Sequence, residues 1–289
     1  MVLIDTHCHL NFNAFNDDAD EVIRRSLSNK TWMINVGSQL ETSKRAVALA
    51  DKYPEGVYAS IGLHPIHVST GVLKVKTDSE ETEEKEEVFD ISFYRQLAVS
   101  SKKVVAIGEI GLDYYYRPKT KTRLEVFKNR QKEVFLEQIN LAEELNLPMI
   151  LHCRFGHEDL IEILSSKFQV SGFKINGVVH CFTGTLEQAK QYLAMGFYLG
   201  FNGIIFKLDL GEVISKTPLE KILVETDCPY LTPPIAEKDF SDSTVFSGGR
   251  RNEPFFVKYV LERISRLKNI SFEEAADITA ENARKLFRF

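Results

Sequence analysis

Eight short apolar runs alternate with longer stretches of helical spacing, and no other feature of the 289 residues restricts the fold as tightly. The runs lie at 2–7, 32–36, 57–62, 104–109, 148–152, 177–180, 197–201 and 222–226. Amphipathic segments fall between them at 17–29, 41–52, 120–146, 157–167 and 186–195. In the longest, Leu124, Phe127, Val134, Phe135, Gln138, Leu141, Ala142 and Leu145 recur at the period of one helix face. Strands alternating with helices over this length predict an α/β fold, a (β/α)8 TIM barrel in which 1–289 is a single domain. A doubly wound open sheet is the competing layout; no Gly-rich phosphate loop follows the first run, which disfavours it. At the end of the chain, 271–289 reads as a capped helix pair closing the barrel, with Ser271 and Glu274 at capping-box spacing.

The polar residues that punctuate these runs carry chemistry. His7 and His9 straddle the end of the first run, Glu109 ends the fourth, His152 the fifth and His180 the sixth, and Asp227 follows the eighth. In a parallel barrel all these ends open on one face, where active sites of the architecture lie. Alternation along a strand points His7 and His9 to one side and Cys8 to the other. Four imidazoles and two carboxylates suit two divalent ions, with nitrogen donors favouring zinc, manganese or iron and carboxylates tolerating magnesium. A lone histidine near a strand end is usually hydrogen-bonded into the core. Six suitable side chains at five strand ends are not explained that way. The four cysteines each follow a candidate ligand, at Cys8, Cys153, Cys181 and Cys228, and alternation predicts buried, inert thiols facing the helices.

Charge narrows the partners. Eight acids and one lysine between 78 and 90 contribute −7 to a formal charge of −5, which leaves +2 for the rest. No large basic field marks a nucleic-acid binder, although the sign excludes none. The segment 70–90 lacks apolar periodicity and is expected to be a solvated, mobile surface insertion. Without an apolar run near the roughly 18 residues of a membrane span, a basic leader or a disulfide framework, a cytoplasmic protein with no membrane association is expected. Nothing in the sequence signals an obligate protein partner.

Seven motifs, in order, resemble the TatD family of metal-dependent deoxyribonucleases within the amidohydrolase superfamily. They are Asp5-Thr6-His7-Cys8-His9-Leu10, Gly62-Leu63-His64-Pro65, Gly108-Glu109-Ile110-Gly111-Leu112-Asp113-Tyr114, Leu151-His152-Cys153-Arg154, His180-Cys181-Phe182-Thr183-Gly184, Glu225-Thr226-Asp227-Cys228-Pro229-Tyr230-Leu231 and Arg251-Asn252-Glu253-Pro254. The first is shared across the superfamily; the third and sixth together are far more specific. Many superfamily members bridge two metals with a carboxylated lysine on the fourth strand, but here Lys102 and Lys103 precede that strand and Glu109 stands at its end.

The resemblance implies a 3′-to-5′ exonuclease on DNA, single-stranded or at damaged ends, working through two divalent ions (Zn2+, Mg2+ or Mn2+). It assigns His7, His9 and Asp227 to one ion and His152 and His180 to the other, with Glu109 bridging. Asp227 is expected to accept the proton of the attacking water, with Glu225 on the same face as a supporting partner or proton relay. His64 and Arg154 are expected to grip phosphate oxygens, and Tyr114, Tyr115 or Tyr116 to stack on a base. Arg251 and Glu253 are expected to pair and brace the last loop. Two rivals remain at this level: a hydrolase of the same fold acting on a small ester, lactone, amide or phosphotriester, and a non-catalytic barrel. The acidic segment departs from the family pattern; folded over the mouth, it would repel a phosphate backbone.

Overall fold

The computed structural model describes residues 1–73, 78–79, 81–82, 86–171, 176–234, 245–246 and 249–289. All eight expected strands are present: β1 (Leu3–Cys8), β2 (Thr31–Val36), β3 (Val57–Ile61), β4 (Val104–Asp113), β5 (Met149–Arg154), β6 (Gly177–Val179), β7 (Tyr198–Phe201) and β8 (Ile222–Val224). They pair in parallel, each with the next in sequence, in the order β1 to β8. The sheet then curls back on itself. The backbones of Cys8 and Cys228 pair in parallel, both thiols remaining free, Thr6 Oγ1 donates to the Val224 carbonyl at 3.1 Å, and the Asp5 carboxylate accepts from the Thr226 N–H at 2.9 Å. This is the expected (β/α)8 barrel.

The helices outside are α1 (Ala19–Ser28), α2 (Leu40–Asp51), α3 (Ile91–Ser100), α4 (Lys121–Leu145), α5 (His157–Ser171), α6 (Leu186–Ala194), α7 (Gly211–Lys216), α8 (Val257–Lys268) and α9 (Phe272–Phe287). Leu10, Met33, Ala59, Leu112, Phe135, Leu151 and Leu199 belong to the shell between strands and helices. The final segment is a single helix, α9, rather than the expected pair; the preceding helix, α8, lies before Ser271. The Ser271 hydroxyl caps α9 by accepting from the Glu274 N–H. Ala280, Ala283, Leu286 and Phe287 of α9 pack with Ile4, Ile34, Ile150, Val178 and Leu223, sealing the end of the barrel opposite the site. No helix among the described residues is long and apolar enough to cross a membrane.

Two bulges set the direction of the polar side chains. In β1 the pairing slips between Asp5 and Cys8, so that Ile4 low in the strand and His7 higher up can both face the interior. In β4 a slip between Ile107 and Ile110 accompanies a strand that continues to Asp113, so Glu109 lies within it rather than ending it as expected. Gly111 permits that continuation. Its φ is +142°, and a Cβ there would meet the His152 carbonyl oxygen at 2.1 Å.

Candidate metal centre

At the carboxyl end of the barrel the six expected ligands converge. Backbone bonds between β1 and the turn after β8 fix the first group: Asp227 N–H donates to the His7 carbonyl at 2.8 Å, and His9 N–H to the Cys228 carbonyl at 2.9 Å. The His9 Nδ1 lies 2.8 Å from the Val36 carbonyl, which can only accept, so Nδ1 carries the proton and Nε2 presents its lone pair. That Nε2 is 3.1 Å from His7 Nε2 and 3.4 Å from Asp227 Oδ1.

Glu109 occupies the centre. Its Oε1 lies 2.7 Å from both His152 Nδ1 and His180 Nε2, and its Oε2 is 3.4 Å from His7 Nε2. Burial pushes this carboxyl up, but His180, His64 and His7 outweigh it and hold the group well below the usual carboxylate range. Asp227 is likewise lowered, burial being outweighed by the bond from His9 and by its imidazole neighbours. His152 and His180 are displaced the other way: burial lowers them, while their carboxylate partners prevail and raise both.

The donor set fits divalent cations. His7–His9–Asp227 and His7–Glu109–His180 each bring three ligand atoms within 4.8 Å of one another; in a third such group, His64–Glu109–His152, the His64 Nδ1 is already taken by the Ile66 N–H. Two imidazole Nε2 atoms at 3.1 Å, beside carboxylates held ionised, form an arrangement that a shared cation stabilises. The thiols are a different matter. Asp5, Cys8 and Cys228 also cluster, but Asp5 is occupied by Thr226 and the His7 N–H, and burial raises the Cys8 thiol. Burial likewise pushes Cys153 and Cys181 up to about 12, which keeps them protonated and unsuited to hold metal as thiolates. Cys181 is nevertheless half-buried, and it and the buried Cys153 both line the cavity, against the expectation that all four cysteines face the helices.

Around the centre the structure sorts the remaining expected residues. Glu225 is fully buried behind His180: Oε1 accepts from the Cys181 N–H at 2.6 Å and lies 3.5 Å from His180 Nδ1. It is placed to orient that ring, not to touch a ligand in the cavity. His64 Nε2 is 3.3 Å from Glu109 Oε1, while its Nδ1 accepts from the Ile66 N–H. The proton of the neutral ring therefore sits on Nε2, making His64 a donor into the cavity, and burial lowers its pKa to about 4. Arg154 is anchored by Asp113, whose Oδ2 accepts from Nε at 2.9 Å and Nη2 at 2.7 Å. Asp113 also lies 3.2 Å from His152 Nε2, so one carboxylate steadies both a ligand and a cation. Asp113 stands in the third motif but is not among the expected site residues. Its spacing of four from Glu109 along one strand was the available signal.

Three expectations change. Tyr114 is 1% exposed and its hydroxyl donates to Asp159 at 2.9 Å, so it cannot stack on a base. The exposed tyrosines at this rim are Tyr115 and Tyr116, with the Arg154 guanidinium 4.4 Å and 5.7 Å from their centroids. Arg251 and Glu253 scarcely pair, at 3.9 Å; Arg251 binds Asp18 and the Ala14 carbonyl, and Glu253 binds Arg25, so both brace α1 and the turn before it. Finally, the described part of 70–90 is not a free surface loop. Thr82 is fully buried, Val68 pairs with Glu87, and Asp78 and Glu81 line the cavity that holds the candidate ligands, while 74–77, 80 and 83–85 lie outside the described residues.

The cavity is ≈ 490 Å3 and opens between His9, His64, Glu109, Asp227 and Arg154. The TatD related DNase family pattern matches residues 4–288. The uncharacterized metal-dependent hydrolase YabD of Bacillus subtilis is 40% identical over 291 residues, covering 99% of each chain. The 3′-5′ ssDNA/RNA exonuclease TatD of Rahnella sp. is 32% identical over 284 residues, covering 96% of this chain and 95% of that protein. Among solved structures, YjjV, a TatD homolog from Escherichia coli, superposes with a TM-score of 0.77 at 29% identity, covering 99% and 98%.

Proposed function

The chain belongs to the TatD family of metal-dependent hydrolases, and from that premise we propose that it hydrolyses DNA phosphodiester bonds as a 3′-to-5′ exonuclease using two divalent ions. The observation that carries the reading is the position of Glu109, within 2.7 Å of His152 and His180 on one oxygen and facing His7 with the other. It would bridge an ion held by His7, His9 and Asp227 and another held by His152 and His180. Two such ions supply positive charge to a phosphate and acidify water at neutral pH.

The protein's own groups do the rest. Asp227, lowered and therefore ionised, accepts the proton of the attacking water. His64 donates from Nε2 to a non-bridging oxygen, and Arg154 offers the guanidinium edge not taken by Asp113. Tyr115 and Tyr116, not Tyr114, present rings for the adjoining base. Glu225 acts through His180 by fixing its orientation.

A substrate panel tests this reading. End-labelled single-stranded DNA, a duplex, an aryl ester, a lactone and a phosphotriester are each offered to protein reconstituted with Mg2+, Mn2+ or Zn2+. Preferential shortening of the single strand from its 3′ end is expected. Turnover of an ester or phosphotriester with DNA left intact would replace the nuclease reading by a small-molecule one.

A further inference from the structure

The acidic segment is tied to the metal centre at three places. Tyr230, three residues beyond Asp227, donates its hydroxyl to Asp78 Oδ2 at 3.0 Å. Asn13, four beyond His9, donates its side-chain amide to the Ser79 carbonyl at 3.0 Å and its backbone N–H to the Glu81 carbonyl at 3.1 Å. His67, three beyond His64, lies 2.6 Å from Glu81 Oε1 through Nε2. Further on, Glu87 accepts from the Leu40 N–H and the Tyr94 hydroxyl, and its backbone N–H donates to the His67 carbonyl. These bonds hold Asp78 and Glu81 on the wall of the cavity that contains His9, His64, Glu109 and Asp227.

The wall stands over the ends of β1, β3 and β8. Strand order places β4 and β5 across the barrel from β1 and β8, with β3 adjoining β4, and the rim after β4 and β5 has the opposite character. Arg154 ends β5, and Tyr115, Tyr116 and Phe155 are exposed beside it, with the Tyr115 and Phe155 rings stacked at 5.9 Å. The mouth is thus divided: carboxylates on one side, a guanidinium with aromatic rings on the other, the candidate ligands between. Burial pushes Glu81 up, yet the adjoining His67 outweighs it and keeps the carboxyl below its ordinary range.

We infer that Asp78 and Glu81 form an electrostatic end-stop, so that a single strand lies across the Arg154–Tyr115–Tyr116 rim and only its terminal phosphodiester reaches the centre. The inference rests on the nuclease reading and adds to it a structural reason for acting at ends. A strand passing straight through would carry further phosphates over the wall, against Asp78 and Glu81. A strand that stops there carries none. The residues responsible belong to the acidic segment and not to the ligand set, so end preference and hydrolysis are separable.

The test compares a linear single strand with a covalently closed circle of the same sequence, for the wild type and for Asp78→Asn/Glu81→Gln. Both substitutions keep size and one acceptor oxygen for Tyr230 and His67 while removing the charge; the single Asp78→Asn, at an exposed position, serves if the double variant unfolds. The wild type should digest the linear strand and spare the circle. The double variant should raise the circle-to-linear ratio of kcat/KM about tenfold or more, from removing like-charge repulsion at short range, and Asp78→Asn should raise it by less. An unchanged ratio in a folded variant, or opening of circles by the wild type, would overturn the end-stop while leaving a nuclease. No digestion of the linear strand by any of these proteins would remove the nuclease reading, and the end-stop with it.

Discussion

The Nε2 atoms of His7 and His9 lie 3.1 Å apart, with Asp227 Oδ1 at 3.8 Å and 3.4 Å respectively. For His9 the ring proton is already committed to Val36, so its lone pair has nowhere to point but into this group. The relation gives the centre a definite pH behaviour.

His9, His152 and His180 are lowered by burial but raised overall by their carboxylate partners. Their folded values exceed the unfolded value near 6.5. The stability they lend the metal-free protein is therefore fully present below that pH and lost as pH rises through the raised values. Metal binding needs the same rings neutral, so the loaded protein behaves oppositely and loses its metals on acidification. Thermal unfolding with and without metal should show a difference in Tm that widens as pH rises. A difference constant from about pH 5.5 to 8.5, a window spanning the imidazole range, would contradict this coupling.

Glu225→Gln should leave the cavity intact and weaken metal binding by about 10- to 100-fold, the usual effect of removing a carboxylate that supports a ligating imidazole. Competition with a chromogenic chelator reads the affinity directly. Saturating metal should restore much of the activity, which would not follow if Glu225 touched substrate.

Arg154→Lys should raise KM for DNA about tenfold while changing kcat less, because lysine lacks the planar fork that Asp113 orients and Tyr115 supports. Steady-state kinetics on a short oligonucleotide separate the two constants. An unchanged KM would return Arg154 to a purely structural role at the rim.

Arg251→Ala tests the bracing of α1. The side chain is 5% exposed and bonded to Asp18 and the Ala14 carbonyl, so truncation should cost about 3 kcal/mol of stability. Urea unfolding measures it, with metal-dependent activity preserved in the folded fraction.

Much of this was legible in the chain. The eight strands follow from apolar runs of strand length, and the six candidate ligands from their place at the ends of those runs. The shift of Glu109 into the middle of β4 was not legible, because it goes with a slip in the pairing to β5 and with a close approach of the His152 carbonyl to Gly111, both of which involve another strand. Tyr114, Tyr115 and Tyr116 are chemically alike in sequence; only the turn after Asp113, which buries the first against Asp159, distinguishes them. The acidic segment read as solvated because its apolar content is low. Its anchors are polar groups of distant turns, Asn13, His67 and Tyr230, and periodicity carries no trace of them.

The central claim is a metal-dependent attack on a phosphodiester at this site. Its most direct measurement is release of label from 3′-end-labelled single-stranded DNA by chelator-stripped protein, with Mg2+, Mn2+ or Zn2+ returned separately and Glu109→Ala prepared in parallel. Label should be released only after one of the ions is restored, and Glu109→Ala should fall at least about 100-fold below the wild type, the scale expected when charge stabilisation at a reacting centre is removed. Release that persists without metal, or equally in Glu109→Ala, would contradict the account.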